Sequence, residues 1–328
     1  MRARATVALL ALAFAAGCGS SSTPPSAVMV APVDVMPSGA QEVTPDPGAP
    51  PVPGNVDCDR EASLYPGPLP PPGAMPPGST MAAIAERGRL IVGVDQNTNL
   101  FGYRDPSSGR LEGFDIDVAR EVARAIFGDP DRIDLRVFEA DQRVPALQSG
   151  QVDLVVRTFS ITCDRKDKVA FSTTYFIANQ RILALKGSGI ESSADLAGKR
   201  VCAVRGTTSL PALSELDPRP TVFGVNNWTD CLVMLQQAQV DAISTDDSVL
   251  WGLKKQDPNV DLVGDSIGLE PYGVGIKKEN SDLVRFVNGV LAEMRTDGTW
   301  QRLYDKWLLE FAPSPGPPAA RYADGPPS

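Results

Sequence analysis

Between residues 81 and 311, short apolar runs alternate with longer stretches whose apolar positions recur every three to four residues. The runs LIVGV (90–94), VDLVV (152–156), RILALK (181–186), RVCAV (200–204), DAIS (241–244) and YGVGI (272–276) are too short for helices and read as buried strands. The segment DIDVAREVARAIFG places Val118, Val122 and Ile126 four apart, which predicts a helix with Asp115 as its N-cap and Gly128 as its stop. From Ser281 to Phe311 the same period predicts two helices divided at Asp297 and Gly298. Strand and helix signals in alternation predict an α/β fold with mainly parallel sheets.

One piece of the pattern occurs twice. ALQSGQVDLVVRT (146–158) and MLQQAQVDAISTD (234–246) share the frame L-Q-x-x-Q-V-D at an offset of 88 residues, so the region divides into two related lobes. Ligands of open α/β sheets gather beyond the carboxyl ends of the strands. Equivalent strands in two facing lobes would therefore present Arg157 and Thr158 on one wall of a cleft and Thr245 and Asp246 on the other. A cation with hydroxyl neighbours opposite a carboxylate suits a small zwitterion. Arg165 is the candidate for an α-carboxylate, because a planar guanidinium donates to it in bidentate fashion, with backbone N–H groups near Thr208 assisting. Asp246, the Thr158 carbonyl and the Ser160 hydroxyl can accept from an α-ammonium. Both ligand charges must be paired if they are buried, so these residues should converge.

Composition removes several alternatives. The chain contains no histidine, which rules out a Ser/His/Asp triad, a His-ligated zinc site and a histidine general base. A formal net charge of -9 argues against a nucleic-acid partner. No metal or cofactor is expected. At the N-terminus, Arg2 and Arg4 precede ten or so apolar residues, which reads as an export signal over 1–17 because such a run is too short to span a bilayer. Small residues followed directly by Cys18 resemble the lipobox of bacterial lipoproteins, although Ala15 stands where that pattern prefers a larger aliphatic residue. Residues 18–80 hold more than half of the 30 prolines and read as a lipid-anchored, extended tether, and the Pro-rich 312–328 as a disordered tail. With Cys18 acylated, Cys58, Cys163, Cys202 and Cys231 remain, an even set for which an exported chain favours two disulfides in one of three connectivities. Proximity in sequence favours Cys202 with Cys231, leaving Cys58 for Cys163.

The motifs LIVGVD, GFDIDVAREVA, PALQSGQVDLVV, SITCDR, VAFST, LAGKRVCAVRGTTS, VDAISTDD, YGVGIKKEN and MRTDGTWQRLYDKW follow in the order of the polar amino-acid family (family 3) of extracellular solute-binding proteins, which residues 88–308 resemble. The cysteine after the signal, the Pro-rich leader and the extra cysteines are similar to those of the family's actinobacterial glutamine-binding lipoproteins. The resemblance implies the two-lobed periplasmic-binding-protein-like fold, each lobe a mainly parallel sheet flanked by helices, joined by a two-strand hinge. Lobe 1 would comprise 81–181 and 272–311, and lobe 2 would comprise 182–271. The family's hydroxyl positions fall on Thr158 and Ser160, its carboxylate-clamping arginine on Arg165, a backbone donor on Thr208, the ammonium-binding aspartate on Asp246, and a ligand-adjacent aspartate on Asp95.

Two departures bear on the ligand. Family members with an aromatic sandwich carry rings where this chain has Thr98 and Ala140, with Phe101 and Tyr103 as candidate substitutes. Arg157 stands in place of a small residue, and Arg205 lies in the opposite glycine-rich turn; an added cation would favour glutamate or aspartate over glutamine and asparagine. The resemblance implies a monomeric, non-enzymatic receptor on the outer face of the cell membrane that serves an ABC permease or, alternatively, a membrane sensor. An enzyme on the same scaffold, such as a dehydratase, lacks an evident acid and base pair.

Overall fold

The computed structural model describes residues 36–43 and 58–325; the export signal and Cys18 lie outside them. Two sheets organise the chain. The first runs in the order Ile133–Val137, Leu90–Val94, Leu154–Val155, Gly275–Ile276, Ala170–Phe171. Its first three strands are parallel, and Gly275–Ile276 is antiparallel to both neighbours. The second runs Gln41–Glu42, Thr221–Val225, Arg200–Val204, Ala242–Asp246, Phe176–Leu185, Val260–Tyr272. Here too a parallel core of three strands is flanked by antiparallel ones. Apolar clusters cover both faces of each sheet, as expected where helices pack on either side.

Two long strands carry the chain between lobes. Phe176–Leu185 and Val260–Tyr272 pair from Phe176↔Tyr272 to Leu185↔Val260, with an irregularity between Gln180 and Ile182. Their alternating apolar halves belong to different cores: Phe176, Ala178 and Tyr272 to the first lobe, Ile182 and Ala184 to the second. This is the two-strand hinge of a periplasmic-binding-protein fold.

The repeated frame has a structural counterpart. Gly150 (φ 71°) and Ala238 (φ 55°) occupy equivalent places in it, each turning the chain from a helix, Arg143–Gln148 or Trp228–Gln236, into a strand. The left-handed turn falls to glycine in one lobe, whereas in the other an alanine accepts it at some steric cost.

Three expectations need correction. The helix Phe114–Phe127 is capped by Gly113 (φ 135°), not Asp115; Asp115 lies inside its first turn and is buried. A side chain at Gly113 would meet the Phe101 carbonyl at 2.1 Å, so only glycine permits this entry. Gly128 does end the helix, in the left-handed conformation. The leader is not a free tether where it is described. Gln41–Glu42 adds an edge strand to the second sheet, and Leu64, Leu69 and Met75 pack against the first lobe's core. The buried Asn288 donates to the Ser63 hydroxyl (2.9 Å) and the Leu64 carbonyl (2.7 Å). The tail is likewise held: Arg321–Tyr322 pairs in parallel with Ala62–Ser63, and Tyr322 packs on Tyr65 at 5.0 Å between ring centroids. Few apolar residues suffice here because the groups they meet already belong to a folded surface.

Candidate ligand-binding site

Past the strand Leu154–Val155, the backbone reaches Thr158 with φ 37°, a conformation a β-branched residue rarely adopts. Buried Asp115 holds it there. One carboxylate oxygen accepts the Thr158 N–H and the other accepts the Tyr175 hydroxyl, each at 2.7 Å. Burial raises the Asp115 pKa to about 6 against these stabilising bonds. The chain then runs along the hinge, where Ile161 N–H donates to the Pro271 carbonyl (2.8 Å), before Thr162 caps the single-turn helix Cys163–Lys166.

A small cavity of about 10 Å³ lies between the lobes. Lobe 1 contributes Arg143, Arg157, Thr158, Ser160 and Arg165; lobe 2 contributes Thr208, Ser209, Trp228, Thr245 and Asp246. Of the residues expected from sequence, Arg157, Thr158, Ser160, Arg165, Thr208 and Asp246 are brought together here. Asp95 stands one step behind them, paired to Arg157 at 3.0 Å with both side chains nearly sealed from solvent. Thr98 is one step further back, its hydroxyl donating to Asp95 at 2.5 Å. Arg205 is not in the cavity. It is half-buried at the rim, donating to Asn226 at 3.3 Å and lining a separate hollow with Glu139 and Asp141. Neither Phe101 nor Tyr103 replaces a missing aromatic: Phe101 is in the core against Phe114 and Phe176, and Tyr103 packs edge-on to Trp307. Ala140 is buried in lobe packing.

Five cavity residues escaped the sequence reading, Arg143, Thr207, Ser209, Trp228 and Val249, and two of them change the chemistry. Trp228, the first residue of its helix, supplies the ring that Thr98 and Ala140 do not. Arg143 is fully buried, and burial pulls its pKa well below the guanidinium range. Among the described residues its hydrogen bonds go only to carbonyls: Ala140 (2.7 Å), Arg157 (3.2 Å), Thr158 (3.4 Å) and, across the cleft, Gly206 (2.8 Å). Arg165 donates to the carbonyls of Ser160 (2.6 Å) and Gly206 (2.9 Å), and burial lowers its pKa to about 10. Both guanidiniums lie over the Phe159 ring, at 4.3 and 5.0 Å from its centroid. No local motif marks Arg143; its place follows from the helix packing behind Phe159.

The electrostatics follow. Arg157 is matched by Asp95, so its charge is largely cancelled within the wall. Arg143 and Arg165 share one ring and one carbonyl, and among the described residues neither forms an ion pair. On the opposite wall, one Asp246 oxygen accepts the Tyr272 hydroxyl, while Oδ1 is buried without a hydrogen-bond partner. Burial, then Glu270, push the Asp246 pKa well above the carboxylate range. Such a site is complementary to a ligand that brings a donor cation to Asp246 and carboxylate oxygens to the arginines.

Residues 90–310 match the bacterial extracellular solute-binding proteins, family 3, and the chain belongs to that family. The ABC transporter glutamine-binding protein GlnH of Bacillus subtilis is 39% identical over 232 residues, covering 70% of this chain and 85% of its own. Glutamate-binding protein GluB of Corynebacterium glutamicum is 30% identical, covering 71% and 83% respectively. Among solved structures, an ancestral arginine-binding protein bound to glutamine is similar with TM-score 0.63 and 36% identity, covering 68% of this chain and 98% of that one. These relatives are named as binding proteins, not enzymes.

Proposed function

We propose that this chain is an extracytoplasmic receptor, lipid-anchored at Cys18, that closes its two lobes on a polar amino acid and presents it to an ABC importer. Acidic amino acids, glutamate or aspartate, are its preferred ligands, with asparagine and glutamine bound more weakly. One observation carries the preference: buried Arg143 and half-buried Arg165 lie side by side over Phe159 without an ion pair among the described residues. Two like charges this close repel, and two ligand carboxylates relieve that repulsion where one carboxylate and an amide relieve half of it. The extra cation is thus Arg143 rather than Arg157, which Asp95 neutralises.

The α-carboxylate pairs with Arg165, the α-ammonium with Asp246 Oδ1, and the side-chain carboxylate with Arg143. Contacts from both walls stabilise the closed form, which is what a permease reads. Calorimetric titration of the full chain with glutamate, aspartate, glutamine and asparagine tests this. Tightest binding by the acidic pair is expected; an equal or tighter glutamine would overturn the preference. Labelled uptake should fall when the gene is deleted, and unchanged uptake would instead favour a sensor partner.

A further inference from the structure

The turn that carries Arg165 is held by the leader, a segment about a hundred residues earlier in the chain. The helix Cys163–Lys166 is one turn long, too short to keep its shape without external ties. Two of its four residues are tied to the leader. Cys163 is disulfide-bonded to Cys58, and Lys166 Nζ donates to the Asp59 and Ala62 carbonyls, both at 2.8 Å. Arg165 stands between these two ties. The same stretch, 58–63, is anchored in turn: the Ser63 hydroxyl donates to the Phe171 carbonyl at 2.6 Å, Ser63 accepts from Asn288, and Arg321 pairs with Asp59 at 2.7 Å. Arg60 extends the contact to the hinge, donating to the Leu269 carbonyl at 3.1 Å.

We propose that the leader segment 58–63 is a positioning clamp for Arg165, with Cys58, Cys163 and Lys166 as positioning residues that fix the guanidinium at the ligand's α-carboxylate. The clamp rests on the reading of Arg165 as the α-carboxylate ligand. An arginine on a loosened turn loses the preorganisation that makes its bond to a carboxylate strong, whereas contacts to the rest of the ligand do not depend on this turn. The clamp therefore affects recognition of the α-carboxylate in particular.

The test compares L-glutamate with its α-amide, by titration of the full chain, of the Cys58→Ser/Cys163→Ser double variant and of Lys166→Met. In the unaltered chain, glutamate is expected to bind tighter than the α-amide. Removing either tie should weaken glutamate about tenfold while changing the α-amide less than about twofold, so that the discrimination shrinks. Lys166→Arg, which can still donate to both carbonyls, should restore it. An equal loss for both ligands means that the leader only stabilises the lobe, and it overturns the clamp, as does unchanged discrimination. If the cysteine variant does not fold, Lys166→Met decides alone. Failure of the unaltered chain to bind either ligand would sink the receptor reading itself, a result distinct from retained binding with unchanged discrimination.

Discussion

The two walls of the cleft are built differently. Lobe 1 presents guanidiniums held mostly by that lobe's own groups, Arg143 by the carbonyls of Ala140, Arg157 and Thr158, and Arg157 by Asp95, with the Gly206 carbonyl across the cleft accepting from both Arg143 and Arg165. Lobe 2 presents a carboxylate held on one side only, Asp246 through the Tyr272 hydroxyl, with its other oxygen facing no donor among the described residues. The contrast shows where the energy of ligand binding would come from. On the cationic wall the arginines are already oriented, so a carboxylate gains charge-assisted bonds at little ordering cost. On the anionic wall the desolvation of Asp246 is already present, and an ammonium relieves it.

Breaking the anionic wall should have the largest effect. Asp246→Asn keeps the shape but removes the charge, and the expected loss of amino-acid affinity is on the order of 10² to 10³-fold, because one partner of a desolvated pair disappears. Calorimetry on the variant checks this, and a loss under tenfold would mean that the ammonium lies elsewhere.

The support beneath the cationic wall is sensitive to pH. Asp115 has a folded pKa of about 6 against an ordinary value of 3.8, so between these the folded chain holds a proton that the unfolded chain has lost. Stability from this group is complete below about pH 4 and is lost as pH rises through about 6; two pKa units correspond to about 3 kcal/mol. Denaturant unfolding at several pH values should show that Asp115→Asn removes this slope. Parallel curves for variant and unaltered chain would contradict the assignment.

A third change tests which arginine sets the preference. Arg143→Gln should reduce the ratio of glutamate to glutamine affinity by about ten to thirtyfold, the worth of one charged hydrogen bond, whereas Arg157→Ala should reduce it less. Competition titrations on both variants measure the two ratios, and a larger drop for Arg157→Ala would reverse the roles of the two arginines.

The smallest effect concerns how the walls meet. Gly252, in the lobe 2 helix Asp247–Gln256, faces Asn99 of lobe 1, whose carbonyl lies 2.5 Å from where a Cβ would be. Gly252→Ala favours the helix itself but obstructs closure, so affinity should fall several-fold to about tenfold with no loss of thermal stability. Small-angle scattering should show less compaction on adding glutamate than in the unaltered chain.

Much of this was legible in the residue pattern. Leu90–Val94, Arg200–Val204 and the paired helices Ser281–Thr296 and Thr299–Trp307 follow from apolar spacing and from Gly298. The pattern is weaker at Ile133–Val137, which is half-exposed and carries Asp134 and Arg136, so no clean alternation marks it. Asp115 misled for a specific reason: an aspartate at a helix start usually serves that helix, but here its oxygens serve Thr158 and Tyr175, neither of which is near it in sequence. Arg205 and Arg143 exchanged importance likewise. Arg205 follows the strand Arg200–Val204 and Arg143 opens the helix Arg143–Gln148, and only packing sends one to the rim and the other behind Phe159.

The sequence by itself determined the two-lobed α/β class, several of the core strands and the residue types that suit a zwitterion, because these depend on local periodicity and on chemistry that each side chain carries anywhere. It also excluded, through the absence of histidine, chemistry that needs an imidazole from this chain. The tertiary structure decided which charges cancel and which remain: Arg157 against Asp95, Arg143 and Arg165 over one ring, Asp246 with one oxygen bonded. It also decided that residues 58–63 belong to the body rather than to a tether. These outcomes rest on distances of about 3 to 5 Å between residues far apart in the chain, and electrostatic and packing energies change steeply over that range while sequence spacing carries no record of it.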